Sequence, residues 1–212
     1  MRTREMIARI TAGATGAALL VGGAGAAFAD EVDYGSSDIN VNVEIDEYPE
    51  PGVLALTVDG TTTTLAETGT ASDLREFTGA LPTVTVTDTR VFPDRIDPAA
   101  FWYVVGSSSD FTGDDGQPDI PAGHFGWAPA LAGGTDPGEV AAGDQVDTVM
   151  DTGPDAVGLV DQELLAIAAG SQEIHPTGSW SVDADLFLKT PISVEPGSYQ
   201  AKITLSLFEF TG

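Results

Sequence analysis

Trp180, Val182, Ala184, Leu186 and Leu188 alternate with Ser181, Asp183, Asp185, Phe187 and Lys189. A period of two held over so many residues describes a strand with one buried and one wet face, and it fits no helix. The same period recurs along the chain. Val41, Val43 and Ile45 alternate with Asn42 and Glu44, and Leu54, Leu56 and Val58 with Ala55 and Thr57. Thr83-Val84-Thr85-Val86-Thr87 is β-branched throughout, and Tyr199, Ala201, Ile203, Leu205 and Leu207 alternate with Gln200, Lys202, Thr204, Ser206 and Phe208. Gly, Pro, Asp and Thr fill the intervals, which is turn chemistry. The one helical candidate, 161–169, reads better as a short buried strand around Leu164-Leu165-Ala166-Ile167-Ala168. With no amphipathic helices to cross between parallel strands, the pattern predicts an all-β, antiparallel β-sandwich of immunoglobulin-like architecture with about seven to ten strands. Long loops are expected over 132–155, where Gly, Pro, Asp and Thr concentrate.

The first 29 residues follow another rule. Arg2, Arg4 and Arg9 precede an uncharged run from Ile10 to Phe28, and Ala27-Phe28-Ala29 is a small-x-small site followed by Asp30 and Glu31. A positive head, an apolar middle and a small-residue cleavage site make a secretory signal, cut after Ala29. A membrane anchor fits less well, because Gly13, Gly16, Gly22, Gly23 and Gly25 dilute the run and no basic residues follow it. The expected organisation is a signal at 1–29, a polar arm at 30–37 and a single domain at 38–212. The expected location is extracellular, with no membrane span left after cleavage.

Cleavage would remove three of the 8 basic residues and one of the 33 acidic ones, leaving 5 against 32, a net charge of −27. Such a surface repels nucleic acid and anionic lipid. It suits solubility in brine, or contact with cations or basic partners. The chain has no Cys, which removes disulfides, thiol catalysis and thiolate metal sites.

Chemistry-bearing residues are sparse. The loop Asp110 to Asp119 is rich in oxygen ligands of the kind Ca²⁺ takes, but Asp115 and Pro121 stand where an EF-hand starting at Asp110 would need Gly and Glu. An Asp/Gly turn on a chain acidic throughout is the better reading. His124 and His175 are the only histidines, and neither has a second ligand at zinc spacing. Asp183 and Asp185 share a strand face, an arrangement a glycosidase could use across a cleft and a solvated sheet face would also show. Ser107-Ser108-Ser109 lacks a nucleophile-elbow sequence. Leu81-Pro82-Thr83-Val84-Thr85 lacks the Thr-Gly ending of a sortase signal and is followed by no apolar tail, so no covalent wall anchor is expected. Trp102 is in phase with Val104 and Trp180 with Val182, so both are expected in the core. Trp127, between Gly126 and Ala128-Pro129, carries the weakest core signal. No catalytic, cofactor-binding or metal residues are assigned.

The order of segments resembles the WxL-domain surface proteins of Gram-positive bacteria, in a divergent, actinobacterial-like form. The resemblance runs through Val43-Glu44-Ile45, then Pro51-Gly52-Val53-Leu54-Ala55-Leu56-Thr57-Val58, then Thr83 to Arg90. It continues through Phe101-Trp102-Tyr103-Val104-Val105-Gly106, Ile120 to Pro129, Gly178-Ser179-Trp180 and Pro196-Gly197-Ser198-Tyr199 into Leu207. The first Trp-x-Leu signature stands as Trp102-Tyr103-Val104 and the second as Leu205-Ser206-Leu207, without its Trp. The resemblance implies a non-enzymatic cell-surface protein that holds peptidoglycan or another surface protein non-covalently. Residues two apart on a strand share a face, so the signature reads as core packing, which Val and Leu preserve. Two other functions remain open: a structural subunit that assembles by pairing strand edges, and a wall-glycan hydrolase using Asp183 and Asp185.

Overall fold

The computed structural model describes residues 43–44, 52–70, 73–90, 97, 99–132, 140–168, 170–171 and 178–211. The chain divides into Met1–Glu47 and Tyr48–Gly212, and the second unit is described below. The expected signal at 1–29, the arm at 30–37, His175 and most of the strand expected at 41–45 lie outside the described residues.

Among the described residues there are twelve strand segments: β1 Leu54–Val58, β2 Ala66–Thr70, β3 Leu74–Ala80, β4 Val84–Asp88, β5 Phe101–Ser108, β6 Thr112–Gly113, β7 Phe125–Leu131, β8 Val140–Ala142, β9 Glu163–Ala168, β10 Ser179–Pro191, β11 Tyr199–Gln200 and β12 Ile203–Phe210. A 3-10 turn, Ala122–His124, precedes β7. The residues of 161–169 that are described as strand are Glu163–Ala168, as the β-branched and aliphatic run predicts.

Sheet A is organised around β10, the strand with the longest alternation. Its first residues pair with β4 (Val182 opposite Val84) and its later ones with β3 (Asp185 opposite Ala80). Its other edge pairs with β7, Leu186 opposite Trp127. β3 and β4 are thus one path along β10, stepped at Leu81-Pro82-Thr83, where Leu81 N–H still reaches the Ala184 carbonyl at 2.8 Å. The proline supplies no donor there, so the ladder breaks at the step. Outside this path, β1 pairs with β4 and β2 with β3. Sheet B has the order β12-β5-β9-β8, all antiparallel. The short pair β11-β6 continues the β12-β5 ladder past a hydrogen bond from Ser109 N–H to the Lys202 carbonyl. Counting each stepped pair (β1/β2, β3/β4, β5/β6, β11/β12) as one strand reduces twelve segments to eight paths. The larger raw count reflects interruptions, not extra layers.

The two sheets pack face to face, and the alternation decides which side chains lie between them. From β10, Trp180, Val182, Ala184, Leu186 and Leu188 are buried, as are Val84 and Val86 of β4. They meet Trp102 and Val104 of β5, Leu165 and Ala168 of β9 and Val140 of β8, in one apolar cluster. Each fully buried Val or Leu contributes about 1.5–3 kcal/mol. Trp127, the weakest core candidate in sequence, is completely buried. Its ring lies over Gly106 of the opposite sheet, where a Cβ would fall 2.7 Å from its Cη2 atom. The expected loop region is irregular from 143 to 162 around turns and isolated bridges, after the short strand β8.

Candidate functional site

The residues singled out in the sequence are mostly occupied by the fold. Asp110 accepts a hydrogen bond from Ala122 N–H at 2.8 Å, closing the loop onto the 3-10 turn. Asp114 accepts from the Gln200 amide at 2.9 Å, across the β11-β6 pair. Gln117 takes a bond from Asp115 N–H and gives one to the Pro196 carbonyl. Among the described residues no three His, Asp or Glu side chains converge as a metal ion would require. Side chains of the acidic loop thus fasten it to the 3-10 turn, to β11 and to the Pro196 carbonyl.

His124 is half-buried, with Nδ1 2.8 Å from the Lys189 carbonyl. A carbonyl only accepts, so Nδ1 carries the proton. Ser108 and Ser109 donate to the Ser109 and Asp110 carbonyls. Leu81 of the Leu-Pro-Thr segment is buried at the step between β3 and β4. Asp183 and Asp185 do point to the same outer face of sheet A, flanked in register by Ala130, Ala128 and Ala80. Asp185 is exposed, whereas Asp183 is half-buried with Oδ1 inaccessible and without a hydrogen-bond partner. The two lie among alanines along one strand of an open sheet.

The segments that carry the two Trp-x-Leu signatures are neighbours. Val104 stands opposite Leu207, and Gly106 opposite Leu205. Trp102 and Val104 are fully buried, and Leu205 and Leu207 pack against the same core. Their outer i, i+2 residues therefore face the other sheet, and the middle residues, Tyr103 and Ser206, face out.

That outer face holds the feature the sequence reading passed over. Tyr103 stands opposite Phe208, and Phe101 opposite Phe210. The Tyr103–Phe208 ring centroids are 5.5 Å apart and the Phe101–Phe210 centroids 5.2 Å, each pair tilted by 28°. Phe101 and Tyr103 are linked at 6.3 Å. Phe208 and Phe210 remain 40% and 53% exposed, so four aromatic rings form a strip along the solvent face of sheet B. The signal was in the sequence: Phe208 and Phe210 are out of phase with Leu205 and Leu207, so they had to point away from the core.

The same strand, β12, is also tied by an ionic clamp that the sequence does not announce. Asp88, at the end of β4, is 1% exposed. Arg90 grips it with two parallel bonds of 2.8 Å, from Nε and Nη2. Its Nη1 reaches Glu209 on β12. The guanidinium is thereby held above its ordinary basicity, chiefly by the Asp88 carboxylate. The other described cations with ion pairs are Arg75, on Glu67, and Lys189, on Asp151. Arg75 holds Glu67 down at about 2.

No family model matches this chain, and neither does any curated protein. One solved structure with some likeness is a family 123 glycoside hydrolase from Clostridium perfringens, analysed for glycolipid glycan hydrolysis. It shares 15% identity at a TM-score of 0.31, over 63% of this chain and 18% of the enzyme. A likeness at that level identifies neither a family nor an activity. No helix among the described residues is long and apolar enough to cross a membrane.

Proposed function

We propose that this chain is a non-enzymatic, exported binding module of the WxL kind, which attaches without covalent linkage to the cell wall or to a partner at the cell surface. The observation that carries the reading is the strip Phe101, Tyr103, Phe208 and Phe210. Large aromatics left half-exposed together, on a protein with a net charge of −25, mark an interaction surface rather than ordinary solvent exposure. The buried signature segments support the WxL fold without assigning them the binding role, since they are consumed in the core. Their outward neighbours on β5 and β12 are the residues free to bind.

Binding of this kind is driven by apolar contact against a background of negative charge. Salt should therefore strengthen or spare it, by screening repulsion from anionic wall polymers. Co-sedimentation of the purified chain with isolated Gram-positive peptidoglycan tests the reading. The chain should pellet with the wall at high salt, and the double variant Phe208→Ser, Phe210→Ser should remain in the supernatant. Recovery of the wild type in the supernatant at every salt concentration would remove the wall as the ligand.

A further inference from the structure

We infer that the outer edge of β12, which no described strand covers, is a receiving edge for an extended segment of a partner polypeptide, which would add a strand to sheet B. The inference rests on the surface-partner branch of the proposed function and names the chemistry of that partner. β12 is eight residues long and pairs with β5 in unbroken register from Ile203 to Phe210. On its other side, among the described residues, no strand pairs with it. About half of its residues therefore turn both N–H and C=O outward, as alternate positions of an antiparallel strand do.

Among the described residues the other edges are shorter or blunted; β1, an edge of sheet A, has five residues. β8, the opposite edge of sheet B, has three residues. β2 carries a bulge between Glu67 and Gly69 and an ion pair on Glu67. β7 has its outer edge closed by a two-way backbone bridge between Trp127 and Val146. Short length, bulges and charge are how natural sheets avoid unwanted pairing. β12 contains no proline, no bulge and no lysine, and its one charge, Glu209, is taken up by Arg90. It exposes Phe208 and Phe210 on one face and shows Ile203, Leu205 and Leu207 half-buried on the other. An arriving strand would extend the aromatic strip outward and the core inward at once.

Charge selects the occupant. Arg75, Arg90 and Lys189 are committed to ion pairs, and Lys202, just before β12, is among the described residues the one exposed cation beside this edge, so the acidic excess sets the field along the rest of it. A second copy would bring the same excess against itself. A foreign strand with basic flanks and apolar or β-branched residues between would be attracted and then held by main-chain bonds.

The test uses the purified chain and a short capped peptide with lysines at both ends and alternating valine and threonine between. The control is the same peptide N-methylated at neighbouring central residues, so that both of its edges lose donors. Saturable binding of the first peptide is expected, weakened at least about tenfold by N-methylation. The variant Phe208→Asp, Phe210→Asp should weaken it as well. Equal binding of both peptides, or none, overturns the inference, whether or not the aspartate variant folds. Dimerisation of the wild type at low salt, lost in that variant, would overturn it in favour of a second copy. Peptide binding without wall binding would leave the edge standing and set aside the wall. Wall binding without peptide binding would do the reverse.

Discussion

The indole rings of Trp102 and Trp180 lie 5.8 Å apart, tilted by 47°, one from each sheet of the sandwich. Trp102 is fully buried and Trp180 is 8% exposed. Removing either leaves a void that neither sheet can close without shifting. Trp102→Ala and Trp180→Ala should each cost about 3–5 kcal/mol in urea unfolding. A double-mutant cycle should return a coupling of about 0.5–1.5 kcal/mol for the pair. A cycle that closes at zero would mean that the rings are buried separately rather than against each other.

Gly106 serves a second inter-sheet contact by having no side chain. A Cβ there would meet Trp127 at 2.7 Å and the Leu205 side chain at 2.9 Å. Gly106→Ala should destabilise the fold by about 1–3 kcal/mol through overpacking. Trp127→Phe, which shortens the ring, should recover part of that loss in the double variant. Thermal unfolding of the four proteins settles the point, and additive losses would contradict it.

Arg90 neutralises a carboxylate that has almost no access to water. Arg90→Met should leave Asp88 buried and uncompensated, costing about 3–5 kcal/mol. Asp88→Asn on top of it should restore part of the loss, because a neutral amide tolerates the site better than an unpaired charge. If Arg90→Met costs no more than an exposed ion pair, about 1 kcal/mol or less, the clamp is not structural.

Two carboxyls give stability opposite dependences on pH. Burial works to raise Asp151, but the Lys189 ammonium and the Thr148 hydroxyl and N–H outweigh it and hold the group below the ordinary range. Its contribution is present above its unfolded pKa and is lost as pH falls through the lower folded value. Glu163 is pushed up by burial and by repulsion from Asp161 and Asp155. The native state therefore binds its proton more tightly, and stability falls as pH rises from 4.5 through the folded value. Glu163→Gln should stabilise the protein at neutral pH and do little in acid, whereas Lys189→Met should destabilise at neutral pH and do less in acid. Urea midpoints across pH 3–7 compare the two variants, and a pH-independent effect of both would contradict these assignments.

The fold class was readable because the alternation in β10 and β12 is long and unambiguous, and it also told inner from outer face. The steps were not readable. Leu81-Pro82-Thr83 interrupts a path whose partner, β10, lies about a hundred residues further on, and no local rule places that strand. Trp127 was hard to place because its burial depends on Gly106 in another sheet. The acidic loop and Asp183-Asp185 drew attention by composition, yet the structure turns the first to fastening a loop and sets the second among alanines. The aromatic strip needed register as well as phase: only pairing shows Phe208 against Tyr103 and Phe210 against Phe101. The Asp88–Arg90–Glu209 clamp joins residues from two sheets, and spacing along the chain contains no trace of it.

Binding of the cell wall by the outer face of sheet B is read by co-sedimentation of the purified chain with peptidoglycan. The wild type should pellet, salt should not release it, and Phe208→Ser with Phe210→Ser should stay soluble while unfolding within about 2 kcal/mol of the wild type. Equal pelleting of the folded variant and the wild type would place the binding surface elsewhere on the molecule.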